Sequence, residues 1–427
     1  MLNEILKLLE NNNLFITGGA GVGKSFLTKQ IIKYYKDKNK NIISLGSTGI
    51  SAVGIGGVTL HSFFRIGICK NHEDLAILDI KQRKKKEELK QILKNVDLIV
   101  IDEISMVAVE VMELIYFRLI NSEFCGKIIV VGDFYQLAPI TNDDGNLLFK
   151  LKYAFDSYAW EQLNFVCVEL TKSKRQNDLE FCEILSKIRL GNVTKKEILY
   201  LEKLKNNQFS QDATTLFGRN YEADKLNLQK LSQINSKLYV FEGVKEIYDE
   251  KLSEDKFYKW YKNLNVPEKL FFKIGAKIIF TINKNGYFYN GEQGVIIGFD
   301  DEDVIVRKND DSLIKVSLNS YNCTENILTE DGVKQKILAS FFQFPFRLSY
   351  AITIHKSQGM GIENLVCDLN HIFAKGQFYV AISRGINPQN LKILYNRKED
   401  LQSYISNSIR TDDRVNDFYK SIKIIKF

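Results

Sequence analysis

Gly18-Gly19-Ala20-Gly21-Val22-Gly23-Lys24-Ser25 fits the spacing G-x-x-x-x-G-K-[ST] without a mismatch. Glycines at these positions let the backbone curl so that successive N–H groups face one anion, the arrangement that suits a polyphosphate. Lys24 would reach the outer phosphates and Ser25 a magnesium ion. A second chemical pair, Asp102-Glu103, ends the apolar run Leu98-Ile99-Val100-Ile101. The first carboxylate can hold the metal, and the second can orient and deprotonate an attacking water. Gln136, in Gly132-Asp133-Phe134-Tyr135-Gln136-Leu137-Ala138-Pro139, offers an amide that would sense a γ-phosphate. Arg384 follows the apolar run Phe378 to Ile382, which would give it a rigid support and aim its charge outward as an arginine finger. The acidic pair favours hydrolysis over a GTPase-type switch.

These groups need elements that deliver them to one place. Leu14-Phe15-Ile16-Thr17 reads as a buried parallel strand before the loop, and Phe26, Leu27, Ile31, Ile32 and Tyr35 recur at helical spacing after it. Met1 to Glu10 reads as a short amphipathic helix, and no glutamine occurs before Gln30 to read an adenine. Strands are expected at Ile42 to Leu45 and Lys127 to Val131. The first runs into the small and hydroxyl residues of Gly46 to Ala52 and Gly56 to Phe63, a lip that could hold the phosphates of a nucleic-acid strand. Lys81 to Lys90 reads as a solvated helix face with no site.

From Ala154 the strand-helix alternation restarts, with Val166 to Leu170, Ala213 to Phe217, and a helix carrying Ala223, Leu226 and Leu231; this implies a second parallel sheet. Glu242 to Lys269 reads as a connecting insertion. Short strand-like runs at Leu270 to Phe280, Gly294 to Phe299, Asp303 to Arg307 and Leu313 to Leu318 are broken by the hairpin dipeptides Asn285-Gly286 and Asn290-Gly291, which fits a small antiparallel barrel. The parallel sheet resumes at Phe346 to Ala351, with Phe378 to Arg384 expected as a further strand.

The 427 residues, 45% apolar, suffice for two or three domains with real cores. A net charge of +7 leans only slightly toward a polyanionic partner. The six cysteines are scattered without a C-x-x-C pair and the four histidines form no cluster with them, which argues against structural zinc and a disulfide framework. No apolar run approaches the roughly 18 residues needed to span a bilayer, and the first residues carry no cleavage pattern, so a cytosolic protein is expected.

In order, the segments GGAGVGKS, STGISAVGIGGVTLHSF, LIVIDEISMV, VVGDFYQLAPI, KSKRQND, AITIHKSQGM and KGQFYVAISR resemble the motifs of the Pif (petite integration frequency) family of superfamily 1 DNA helicases, from Gly18 to Arg384. RecD-like helicases match them less closely. Ala138 stands where the family usually has a proline, the segment between Met106 and Lys127 is shortened, and no added terminal domain is seen, as in a minimal bacterial or phage core.

The resemblance implies an α/β fold of two RecA-like domains plus an SH3-like β-barrel. Their expected bounds are 1–160 with a small insertion at about 62–95, then 161–265 with 345–427, and 266–344 for the barrel. It implies ATP and Mg2+ as cofactors, with Gly18 to Ser25 and Gly359 at the nucleotide, Ser25 and Asp102 at the metal, Glu103 as base, and Gln136 as sensor. Arg175 and Arg384 would be paired arginines, and Thr48, His61, Thr353, His355 and Lys356 would touch single-stranded DNA. It further implies 5′-to-3′ unwinding of tailed or forked duplexes by a monomer at the nucleoid, with no membrane partner. A nucleotide-gated DNA clamp and a P-loop phosphotransferase are the alternatives.

Overall fold

The structure is a computed structural model of residues 1–427, in which all but 68, 140–151, 173–177, 209–212, 265, 285, 331 and the side chain of residue 50 are described. Six strands of the first sheet come from the N-terminal part: β1 (Asn13–Gly18), β2 (Ile42–Gly46), β3 (Val58–Thr59), β4 (Leu98–Asp102), β5 (Lys127–Val131) and β6 (Phe165–Leu170). A seventh, Ile424–Lys426, completes the spatial order Ile424–Lys426, β6, β1, β5, β4, β2, β3, with every pairing parallel. Alternation along the strands explains why they read as unbroken apolar runs. Phe15, Ile99, Ile101, Ile128 and Val130 enter one core, while Leu14, Ile16, Leu98, Val100, Ile129 and Val131 enter the other beneath α1 (Leu2–Asn11) and α2 (Lys24–Asp37). Register pairs Ile16 with Val131 and Asp102 with Val131, so the glycine loop, the acidic pair and the Gln136 turn leave the sheet side by side at its carboxyl edge.

The boundary expected at residue 160 is corrected by this topology. β6 pairs with β1 over six residues, and Ile424–Lys426 pairs with β6, so both belong to the first sheet although they were expected in the second. β6 alternates as β1 does, with Cys167 on one face and Val168 and Leu170 on the other, which is the pattern of an interior strand of either sheet. The helix Asp413–Ser421 brings Phe418 and Tyr419 onto the first core.

The second sheet is parallel, in the order Ala351–Thr353, Thr214–Phe217, Leu365–Asp368, Leu391–Leu394. Helices Leu179–Arg189, Lys195–Lys203 and Leu401–Ser408 supply residues to its core. The expected strand at Phe378 is instead the helix Gln377–Ile382, all six residues of which are buried. A short segment buried all round carries no periodic signal, which is why it reads equally as strand. The chain is thus a mixed α/β protein with two RecA-like domains.

Between Thr214–Phe217 and Ala351–Thr353 lies an antiparallel unit. Strands Lys277–Phe280, Gln293–Asp300, Asp303–Lys308, Leu313–Val316 and Phe346–Leu348 form one sheet, and Lys269–Lys273 pairs with Leu238–Glu242. Both share a core that includes Phe272, Phe280, Val306 and Phe346, so the unit begins earlier than residue 266. A hairpin of Asn319–Thr329 and Gly332–Gln343, paired with Val244–Ile247, reaches back to the first domain. There the Val333 N–H donates to Asn41 Oδ1 at 3.1 Å and Arg65 pairs with Glu325 at 3.0 Å. Helix Glu254–Leu264, in the stretch expected merely to connect, lies against helix Gly49–Gly54, where a Cβ on Gly49 would meet the Asn263 carbonyl oxygen at 1.8 Å.

Candidate active site

The loop after β1 needs its glycines. Gly18, Gly21 and Gly23 have φ of 140°, 78° and 92°, and a Cβ on Gly18 would lie 2.4 Å from the Leu170 carbonyl oxygen. α2 starts at Lys24, so its first N–H groups face the cradle. The Lys24 ammonium folds over the loop and donates to the carbonyl oxygens of Gly18 (2.7 Å) and Gly19 (2.9 Å). Burial pushes its pKa below the ordinary lysine value against the opposing pull of Asp133 and Glu103.

Asp102 is the last residue of β4, and burial, reinforced by the Glu103 charge, raises its carboxyl to about 7. Glu103 adopts a left-handed backbone with φ of 56°, uncommon for a residue with a side chain and a form of strain found at functional sites. That turn lets its N–H donate to Asp102 Oδ1 at 3.0 Å while Glu103 Oε2 accepts from Gln358 Nε2 at 3.1 Å. Burial raises the Glu103 pKa too, opposed by Lys24 and Arg384. Gln358 Nε2 also stands 3.5 Å from Gln136 Oε1, so one second-domain amide touches two of the expected first-domain groups.

Arg384 does not point outward as expected. It is 2% exposed: Nε donates to the Val380 carbonyl at 2.9 Å, Nη1 to that of Met360 at 3.2 Å, and Nη2 to Ser383 Oγ at 2.9 Å. It follows directly on a buried helix, and its side chain folds back onto that helix's last turn and onto the Met360 carbonyl. It still lines the same cleft as Glu103. Arg175 lies outside the described residues.

Two contacts were not anticipated. Tyr379, on Gln377–Ile382, has its hydroxyl 2.8 Å from the N–H of Ala20 and accepts from it, a second-domain group on the phosphate loop. Arg189, at the end of Leu179–Arg189, reaches the first domain, where Nε meets Asp133 Oδ2 at 2.9 Å, Nη1 meets Glu169 Oε1 at 3.0 Å, and the guanidinium lies 4.9 Å from the Tyr135 ring centre. A lone arginine in an amphipathic helix gives no local sign of this; the KGQFYVAISR segment holds Tyr379 but says nothing of its contact.

One cleft of about 1890 Å³ joins these parts. Its walls carry Ala20, Gly21, Gly23, Lys24, Ser25, Asp102, Glu103, Gln136, Gln358, Gly359 and Arg384, and it continues to Thr48, Thr353, His355 and Lys356. Gly18, Gly19 and Val22 shape the loop without lining the cleft, and His61, exposed on the helix Leu60–Phe63, does not line it either. Thr48 caps Gly49–Gly54, its Oγ1 accepting from the Ser51 N–H at 3.2 Å. His355 and Lys356 are half-buried, and burial lowers the pKa of each.

A glycine loop with its lysine, an acidic pair on the neighbouring strand, and a second RecA-like domain that reaches into the cleft define a nucleotide-dependent P-loop motor ATPase. Residues 2–198 match the PIF1-like helicase family. The chain is 43% identical to the ATP-dependent DNA helicase Pif1 of Campylobacter jejuni, over 98% of this chain and 97% of that protein. It is 32% identical to the ATP-dependent DNA helicase Pif1 of Bdellovibrio bacteriovorus, over 97% and 90%. The crystal structure of Bacteroides sp Pif1 in complex with ADP-AlF4 superposes with a TM-score of 0.82 at 27% identity, covering 98% of this chain and 96% of that one. This chain belongs to the PIF1-like helicase family, as the ordered motifs implied.

Proposed function

We infer that the chain is an ATP-dependent DNA helicase that moves 5′ to 3′ along single-stranded DNA and opens the duplex ahead. The observation that carries this reading is the hydrogen bond from Gln358 to Glu103. Gln358 lies two residues beyond Lys356 on the nucleic-acid side of the cleft, and Glu103 is the candidate base, so a change of grip on DNA has a direct mechanical route to hydrolysis. In this reading the loop amides and Lys24 hold the phosphates, Glu103 orients and deprotonates the water, Gln136 senses the γ-phosphate, and Arg175 and Arg384 meet the charge that develops on it.

The residues present fit magnesium. Desolvation raises the pKa of both adjacent carboxylates, which a compensating cation would relieve, and Asp102 with the Ser25 hydroxyl is the sparse protein donor set that this ion takes alongside phosphates and water. When bound, the ion supplies charge neutralisation between the phosphates. The natural substrates are tailed or forked duplexes, and the active form in solution is a monomer. Among the described residues no helix is long and apolar enough to cross a membrane, and the reading puts the protein with nucleoid DNA in the cytoplasm.

Polarity is tested with two duplexes that differ only in the end carrying the single-stranded tail. With ATP and Mg2+ the 5′-tailed duplex should open and the 3′-tailed one should not; the reverse preference would reject the assigned direction. Affinity offers a second check, because in this reading Lys356 and its neighbours hold phosphates. Titrations across salt concentrations should show log affinity falling with log salt by about 0.7 per phosphate contacted, and a flat dependence would count against a groove that tracks the backbone.

A further inference from the structure

Phe373 is 66% exposed, on the turn before Gln377–Ile382. An isolated exposed phenylalanine needs no explanation, but this one lines the long cleft, and its ring faces that of His355 with centroids 6.4 Å apart and planes 23° from parallel. Near-parallel ring pairs elsewhere in the molecule run from 4.0 Å for Phe280 with Phe288 to 6.4 Å for Phe257 with Tyr261, so what sets this pair apart is its place on the cleft wall with one ring largely exposed. Successive bases in a nucleic-acid strand are spaced by about 3.4 Å, so a base covered on both faces needs about 6.8 Å between the covering rings. The His355 and Phe373 centroids, 6.4 Å apart, fall just short of that, so the exposed Phe373 ring must swing outward slightly to admit a base.

The exposed ring is held from a buried anchor. Gln377 is fully buried, and its Oε1 accepts from the N–H of Phe373 at 2.9 Å and of Ala374 at 3.2 Å. The preceding turn is set against the second sheet, where a Cβ on Gly218 would collide with the His371 carbonyl oxygen at 2.2 Å. His355 follows Ala351–Thr353 and is as firmly based. Burial keeps its imidazole on the neutral side, as suits a flat stacking surface. Lys356 and Arg219 line the same cleft and offer cations to the flanking phosphates.

We propose that His355 and Phe373 form a clamp that takes one base of single-stranded DNA between their rings. The clamp rests on the nucleic-acid reading of this cleft and adds to it a site that holds the strand by a base rather than by its backbone. Such a site is indifferent to sequence, since every base has a π-face, and it gives the second domain a grip that salt does not weaken.

The test compares the full-length chain and its variants on an oligothymidylate and on the same oligonucleotide with abasic sites, followed by fluorescence anisotropy. Phe373→Ala should bind oligothymidylate about 5- to 150-fold more weakly, the loss of one stacked base, with the salt slope unchanged because the phosphate contacts remain. On the abasic strand it should match the wild type, and Phe373→Trp should restore binding to oligothymidylate. If Phe373→Ala binds oligothymidylate as the wild type does, or is weakened equally on both strands, the clamp is rejected while the nucleic-acid reading stands. If the wild type binds neither strand, that reading falls and the clamp with it.

Discussion

Arg384→Ala should cut DNA-stimulated ATP turnover by about 10³- to 10⁵-fold, the worth of an arginine that meets γ-phosphoryl charge, while ATP affinity stays within about tenfold. The affinity should survive because the loop amides and Lys24 belong to the first domain and do not depend on this side chain. Turnover should fall because Arg384 comes from the second domain and bears electrostatically on Glu103. In the present conformation its guanidinium is engaged by the Val380 and Met360 carbonyls and Ser383. Delivery of the charge to a nucleotide therefore requires these bonds to be exchanged when the domains close. Most of the stimulation by DNA should be lost along with the rate, since closure then brings one arginine fewer to the phosphate. A thermal melt separates this from loss of folding, and Arg384→Lys, which keeps a charge without the planar fork, should restore stability more than rate. A folded Arg384→Ala chain that is still fast and strongly stimulated by DNA would remove the residue from the catalytic set.

For Glu103→Gln the expected result is a nucleotide-binding chain that turns over about 100-fold or more slowly, in keeping with the loss of a positioned general base. The substitution preserves length, and the new amide oxygen can still accept from Gln358, so the link between the domains survives. The left-handed backbone at this position is equally strained for either residue and does not confuse the comparison. Nucleotide binding followed alongside steady-state hydrolysis distinguishes a lost base from a lost pocket. Turnover at the wild-type rate would assign the base elsewhere.

Much of this site was legible because each part is local. The glycine loop, Asp102-Glu103 and the turn to Gln136 each follow a strand at fixed spacing, and parallel strands deliver their carboxyl ends to one edge. Membership of a strand in a sheet is not local, so Phe165–Leu170 was assigned to the wrong domain although its strand character was plain. The same holds for Arg189 and Tyr379, which act through residues distant in sequence. Gln377–Ile382 failed for another reason, because six buried residues have no exposed face to betray their period. The paired strands Asn319–Thr329 and Gly332–Gln343 went unread since they mix polar and apolar residues with little alternation and bury few of them.

The seventh strand of the first sheet also dictates how the protein can be made. β6 is ready to pair once Leu170 leaves the ribosome, yet its outer neighbour Ile424–Lys426 emerges only after the whole second domain and the antiparallel unit have been synthesised. At roughly 5–20 residues per second the interval is on the order of 10 to 50 s. Throughout it the nascent ATPase domain presents an uncovered strand edge and lacks Phe418 and Tyr419, which complete the aromatic packing around Phe15 and Phe134. The ATPase domain therefore cannot be finished before the second domain has been made.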